Sequence, residues 1–285
     1  MSDNEPVLHG KAVVVTGGAR GLGQVMASAL AAAGADVVVA DVVLDEEQRT
    51  RPGGICYVQA DISDPDGAES AVGTCLERFG RIDVVVNNAG ILMREARRRT
   101  GITGRVNFWD VDAETVRRFL DVHAVGSFLV AKAAVPHMIA QRNGRVITIS
   151  TSFSTMLDGG RTPYGPAKAA MEAFAAIMAK DLAGSGVTVN VLLPGHAPGE
   201  TRERGELAPR GASGKRVVPR VPPEIMGAPA VWLASDASAG VTGCRFIARD
   251  WDMQLPAAEA ANKCRTPAAW SELAAAATKA RGVAI

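Results

Sequence analysis

Ala12-Val13-Val14-Val15-Thr16-Gly17-Gly18-Ala19-Arg20-Gly21-Leu22-Gly23 is the stretch that decides how this chain reads. Its first four residues form a short apolar run rich in β-branched side chains, as in a strand buried on both faces of a parallel sheet. A glycine turn follows, and then Val25, Met26, Ala29, Leu30 and Ala33 recur at helical spacing up to the stop signal Gly34. Strand, glycine turn and helix together let backbone N–H groups approach a pyrophosphate, and the helix N-terminus adds partial positive charge. Glycine in a tight turn also has a purely conformational explanation, so the residues that follow carry weight. Asp36-Val37-Val38-Val39-Ala40-Asp41 reads as the next strand, with Asp41 at its carboxyl end, near the spacing at which an acid receives the adenosine ribose hydroxyls. That carboxylate would repel a ribose phosphate, whereas Arg20 would attract one. Asp41 weighs more, because it accepts hydrogen bonds in place.

A second signal lies mid-chain. Tyr164 and Lys168 stand four residues apart in Tyr164-Gly165-Pro166-Ala167-Lys168, after the hydroxyl run Ser150-Thr151-Ser152. On a helix such residues share a face, which brings an ammonium close to a phenol. A tyrosine ordinarily loses its proton near pH ~10, and a fixed positive neighbour favours the phenolate. Tyr164 is therefore a candidate proton donor and acceptor near neutral pH.

With these residues in view the chain resembles the short-chain dehydrogenase/reductase family, whose members share a Thr-Gly-x-x-x-Gly-x-Gly turn, an Asn-Asn-Ala-Gly segment after the fourth strand and a Ser…Tyr-x-x-x-Lys set. Here these are Thr16 to Gly23, Asn87-Asn88-Ala89-Gly90 and Thr151…Tyr164…Lys168, in order, within a match over most of residues 8 to 250. Asp61-Ile62 resembles the family's adenine-contacting pair, and Asn190-Val191-Leu192-Leu193-Pro194-Gly195 the strand and turn beside the nicotinamide. The resemblance implies a cofactor held by Gly17, Arg20, Gly21, Leu22, Gly23, Asp41, Asp61, Ile62, Asn88, Ala89, Gly90, Tyr164, Lys168, Pro194 and Gly195, with Asn87 beside them. Lys168 would touch the nicotinamide ribose and lower the pKa of Tyr164. NAD(H) is the expected cofactor and NADP(H) the second choice. The implied reaction interconverts a secondary alcohol and a ketone, a small-molecule substrate, through Tyr164, Lys168, Thr151 and His123. Isomerisation or elimination on the same fold, and a protein that binds dinucleotide without turnover, are the alternatives.

Four departures from the family pattern stand out. Counting thirteen residues back from Tyr164 lands on Thr151 where the family has serine, with Ser152 the fallback if the loop is one residue shorter; threonine keeps the hydroxyl. The family's Asn-x-x-Gly segment reads His123-Ala124-Val125-Gly126 here, so His123 either takes over a proton-relay role or fills the same space. If it relays, its ordinary pKa of about 6.5 should appear in the rate. Arg94, Arg97, Arg98, Arg99 and Arg105 crowd a long loop after the fourth strand, as a solvated face or as a roof over the substrate pocket or a subunit contact. Finally, Arg249-Asp250-Trp251-Asp252 stands where the family has an Asp-Gly-Gly-like ending and leads into a tail with Trp270 and Leu273 at helical spacing.

The remaining chain alternates strand and helix. Strands are expected at 54–60, 82–86, 145–150, 187–193 and 244–248, and helices at 65–79, 113–141, 164–182 and 224–234, with no internal repeat. The fold class is α/β, a doubly wound parallel sheet of Rossmann-like type in one domain over residues 1–253, with a C-terminal extension over 254–285 packed on it as a helix. The Gly, Pro, Arg and Glu-rich stretch from Gly195 to Pro223 is expected to be a substrate lid. At 285 residues, 47% hydrophobic and 21% charged, the chain has an ordinary globular composition, and a net charge of +1 offers no strong attraction to nucleic acid or membrane. Cys56, Cys75, Cys244 and Cys264 show no Cys-x-x-Cys spacing, and His9, His123, His137 and His196 no metal-ligand spacing, so no metal is expected. No signal peptide or membrane span is expected, and the cytoplasm is the expected location. By resemblance, two or four copies would associate through the long helices.

Overall fold

The computed structural model describes residues 6–50, 54–195 and 221–270. Its strands are β1 (Ala12–Thr16), β2 (Asp36–Asp41), β3 (Cys56–Gln59), β4 (Val84–Asn87), β5 (Gly144–Ile149), β6 (Val187–Leu193), β7 (Cys244–Ile247) and β8 (Arg265–Pro267). They form one sheet in the order β3-β2-β1-β4-β5-β6-β7-β8, parallel throughout except that β8 runs antiparallel to β7. The order reverses between β1 and β4, which opens a crevice at the carboxyl ends of those strands.

Valine alternation builds the layers. Val14, Val38 and Val85 face one core together with residues of α3 (Pro65–Phe79), α6 (Gly126–Gln141) and α8 (Tyr164–Asp181). Val13, Val15, Val37, Val39, Val84 and Val86 face the other, against α1 (Gly21–Ala32) and α9 (Gly227–Ala234). Both faces are therefore covered, which explains why the strands read as unbroken apolar runs. Local signals set the boundaries: the Asp64 side chain caps α3 by accepting from the Asp66 amide, Pro65 opens the helix, and Gly80 closes it at φ 71°.

Several expectations are revised. The arginine-rich stretch expected to be a loop contains the helix α4 (Met93–Thr100), whose Glu95 pairs with Arg98 at 2.7 Å and Arg99 at 3.1 Å. Opposite charges three and four residues apart stabilise a short helix that neutral periodicity does not announce. The expected long helix is present over 113–141 but is divided: α5 (Ala113–Leu120) passes into a π-helical turn, Asp121–Val125, before α6. Among the described residues it is the one helix long and apolar enough to cross a membrane, and half of its most apolar stretch is buried inside the molecule. Two short helices, α2 (Glu46–Thr50) and α7 (Phe153–Leu157), went unforeseen. Within the expected extension, 254–285, a helix α10 (Ala257–Cys264) is followed by β8, and Trp270, expected at helical spacing, lies outside any helix at φ 40°. Leu273, and most of the expected lid, residues 196–220, lie outside the described residues.

Candidate active site

Thr16 ends β1 and clamps the two halves of the crevice. Its Oγ1 accepts from the Asn88 and Ala89 amides, each at 3.1 Å, and donates to the Val86 carbonyl at 3.3 Å. Asn88 Nδ2 donates back to the Thr16 and Gly17 carbonyls at 3.0 and 2.9 Å. The approach is close enough to require glycine: at Gly17, φ 62°, an added Cβ would lie 2.7 Å from the Ala89 Cα, and at Gly23 it would press on Gly17 O and Asn88 Nδ2. The N-terminus of α1 opens onto this crevice with no side-chain cap and no acidic residue in its first turn. Its amides are therefore available to an anion, which fits the pyrophosphate of a dinucleotide.

Asp41 closes β2 and is buried. Its Oδ2 accepts from the Ala19 amide and its Oδ1 from the Val43 amide, both at 3.2 Å, and Arg20 Nη2 lies 3.6 Å from Oδ1. Arg20 and Asp41 are thus partners across the mouth of the crevice, with the guanidinium mostly exposed. Asp61 is held by Arg118 of α5 at 3.1 Å and by the Ser63 hydroxyl at 2.6 Å. Burial works against its carboxylate, but the Ser63 hydroxyl and amide and the Arg118 guanidinium hold its pKa below the usual value.

At the other end of the crevice Thr151, Tyr164, Lys168 and His123 meet. Thr151 lines the cavity with Tyr164 and acts to lower the phenol's pKa, whereas Ser152 is fully buried and caps α7, its Oγ accepting from the Thr155 amide at 3.2 Å. Of the two candidates, Thr151 is the one that lines the cavity. Lys168 is buried, donates to the Ile149 carbonyl at 2.7 Å, and places Nζ 6.0 Å from the centre of the Tyr164 ring. Burial pulls the Lys168 pKa down to about 7, with Glu172 opposing. For Tyr164 the expected lowering is reversed: burial raises its pKa, and the Thr151 hydrogen bond and the Arg161 charge offset this only in part.

His123 sits in the π-helical turn, its ring 5.5 Å from that of Tyr164 and edge-on to it. Its Nε2 lies 3.2 Å from the Ile91 amide and 3.0 Å from the Ile91 carbonyl, so the tautomer decides which bond forms. Nδ1 is buried without a partner. Burial, then the Lys168 charge, push the His123 pKa down to about 3 against the Ile91 hydrogen bond. An imidazole with so low a pKa is neutral near pH ~7, which argues against the expectation that its charge state appears in the rate near neutrality. Gly90 must be glycine here, since a Cβ would lie 2.9 Å from Nδ1 of that ring.

These groups line one cavity of about 570 Å³, within the range of small-molecule sites. Its wall holds Gly17, Arg20, Gly21, Leu22, Gly23, Asp41, Asp61, Ile62, Asn88, Ala89, Gly90, His123, Thr151, Tyr164, Lys168 and Pro194. Gly195 is not part of it; at φ 142° it faces Arg249 instead. Asn87 also lies behind the wall, donating to the Ser127 carbonyl at 3.2 Å.

A family model described as "short chain dehydrogenase" matches residues 11–206. The chain belongs to the short chain dehydrogenase family. It is similar to the fluoren-9-ol dehydrogenase of a Terrabacter species, 30% identical over 85% of this chain and 72% of the relative. It is also similar to the 3-oxoacyl-[acyl-carrier-protein] reductase of Thermotoga maritima, 32% identical over 83% of this chain and 95% of the relative. A 1-deoxy-11-beta-hydroxypentalenate dehydrogenase of Streptomyces exfoliatus is 36% identical over 73% of this chain and 74% of the relative.

Other residues of this short chain dehydrogenase reach the cavity without having been named as site candidates: Ile91, Leu92, Glu95 and Arg118, with Ser150 and Arg94 noted only as members of a run and a cluster. Arg118 comes from α5 and meets Asp61 across 57 residues, a long-range pairing that no local pattern announces. Arg94 was visible only as one of a cluster; it lines the cavity and has no carboxylate partner among the described residues.

Proposed function

We propose that this short chain dehydrogenase interconverts a secondary alcohol and a ketone with NAD(H). The observation that carries the reading is the convergence of Thr151, Tyr164 and Lys168 at one end of a cavity whose other end presents an uncapped helix N-terminus and the Asp41 carboxylate. A bound nicotinamide supplies or accepts the hydride. Thr151 holds the substrate oxygen through its hydroxyl, and Tyr164 gives that oxygen a proton or takes one from it. Lys168 holds the ribose and favours the phenolate when it is charged. The α1 amides take the pyrophosphate, and Asp41 accepts from the ribose hydroxyls with lone pairs its backbone partners leave free. That arrangement supports NAD(H) over NADP(H).

Two further readings belong here. Phe128 and Phe174 pack at 5.6 Å on the outside of α6 and α8, beside the exposed side chains of Val125 and Ile177; such a face supports association of two or four copies. The four free cysteines support a reduced, cytoplasmic setting. The deciding assay follows nucleotide absorbance with a panel of ketones and secondary alcohols, NADH and NADPH side by side. Turnover of at least one pair is the expected result, and nucleotide binding without any turnover would leave a binding protein instead.

A further inference from the structure

Three consecutive residues at the carboxyl end of β5 are each held by a different buried charge. Lys168 donates to the Ile149 carbonyl at 2.7 Å, Glu172 accepts from the Ser150 hydroxyl at 2.8 Å, and Arg245 Nη2 donates to the Thr151 carbonyl. Glu172 is one helical turn beyond Lys168 on α8 and completely buried; Arg245 comes from β7 and is 3% exposed. The two form an ion pair, with Arg245 Nε 3.1 Å from Glu172 Oε1, and the guanidinium stacks 4.0 Å from the centre of the Phe153 ring. A buried ion pair is a weak device for stability, because desolvation consumes most of its Coulombic gain and an apolar pair would serve as well. Its geometry suits placement better: one pair grips both Ser150 and Thr151.

The same carboxylate receives the tail. β8 pairs Thr266 with Arg245, and after it the Ala269 amide donates to Glu172 Oε1 at 3.3 Å. Ala269 and the next residue, Trp270, take left-handed backbone conformations, φ 48° and 40°, which side chains disfavour.

We propose that the Glu172–Arg245 pair is a positioning device that sets Thr151 and Lys168 for proton and hydride transfer and is latched by the segment after β8. It rests on the oxidoreductase reading above. The groups around Lys168 are Tyr164 and Glu172 on its own helix and His123 from the π-helical turn, with Arg245 of β7 behind Glu172. With the imidazole neutral, Glu172 is the charge that acts on the ammonium, and Arg245 acts on it through Glu172.

The test uses Glu172→Gln, Arg245→Met, the double variant and the mild Ser150→Ala. NADH affinity read by fluorescence against pH should follow the ionisation of Lys168, the group proposed to hold the ribose, whether or not a substrate is known. Glu172→Gln should move that midpoint to lower pH and Arg245→Met to higher pH, a pair of opposite shifts that loosened packing does not produce. With a substrate in hand, kcat should fall about tenfold or more in the double variant while KM and the NADH Kd at low pH stay near wild type, since a misplaced group costs rate before it costs binding. Removing both charges together avoids an unpaired one, so the double variant should melt near wild type. Ser150→Ala should lower kcat by a smaller factor. Unmoved midpoints in both single variants, or wild-type kcat in the folded double or in Ser150→Ala, would overturn the proposal. Failure of the wild-type protein to turn over any carbonyl or alcohol would instead overturn the parent reading, and the pH midpoints would still decide this one.

Discussion

Tyr164→Phe removes one oxygen and little volume from a ring that lines the cavity with Thr151. Turnover is expected to fall by roughly a hundredfold or more, the range of a lost general acid, while NADH still binds; steady-state rates beside fluorescence titration check both halves. Thr151→Ala should lose activity in the same assay, and Ser152→Ala should show its effect in melting temperature, because its hydroxyl is committed to the α7 cap. Asp41 sets a second expectation: NADH should be preferred over NADPH, and Asp41→Ala should narrow the kcat/KM ratio by roughly tenfold, as expected for loss of a charged hydrogen-bond acceptor. An NADPH preference in the parent enzyme would give Arg20 the deciding role. These residues could be singled out in the sequence because each lies in a short local motif. Their environments were not: Tyr164 and Lys168 have pKa values moved by burial, a property of the packed molecule that spacing does not contain.

At the scale of one element, the π-helical turn Asp121–Val125 brings His123 against Tyr164 and Gly90. π-Turns gather at functional positions because the extra residue re-aims a side chain. His123 has its folded pKa depressed to about 3 from an unfolded value of 6.5, so the unfolded chain takes up a proton first as pH falls. Stability from this group is full above pH ~6.5 and is lost as pH drops toward ~3. His123→Asn should therefore gain about 2 kcal/mol relative to the parent between pH 7 and pH 5, measured by urea unfolding at the two values. The neutral-range midpoint of NADH binding should stay where Lys168 puts it in the same variant. Periodicity showed the helix over 113–141 but not the turn inside it, since one inserted residue leaves an apolar stripe almost unchanged. The helix α4 escaped for the complementary reason: six polar residues of its eight hide its short apolar face, Met93 and Ala96.

Across the whole molecule, the doubly wound parallel sheet was readable from valine runs alternating with helical stretches, and β6 was placed residue for residue at Val187–Leu193. The antiparallel β8 was not, because three exposed residues, Arg265 to Pro267, carry no alternation. Oligomeric state also follows from surface rather than motif. Phe174→Glu with Ile177→Glu puts charge on the outer face of α8 and should convert a dimer or tetramer to smaller species in light scattering after size exclusion. An unchanged mass would move the interface elsewhere.

β8 has one more effect, felt outside the folded molecule. Without it β7 would be an open edge, a row of free amides and carbonyls ready to recruit an extended segment from another chain. β8 covers that row and then offers almost nothing in its place: it is three residues long, begins with a charged arginine, and ends with Pro267, which has no amide hydrogen to give. The strand from which the tail runs on to Glu172 is thus also the hem of the sheet, and it leaves a neighbouring copy little backbone to pair with.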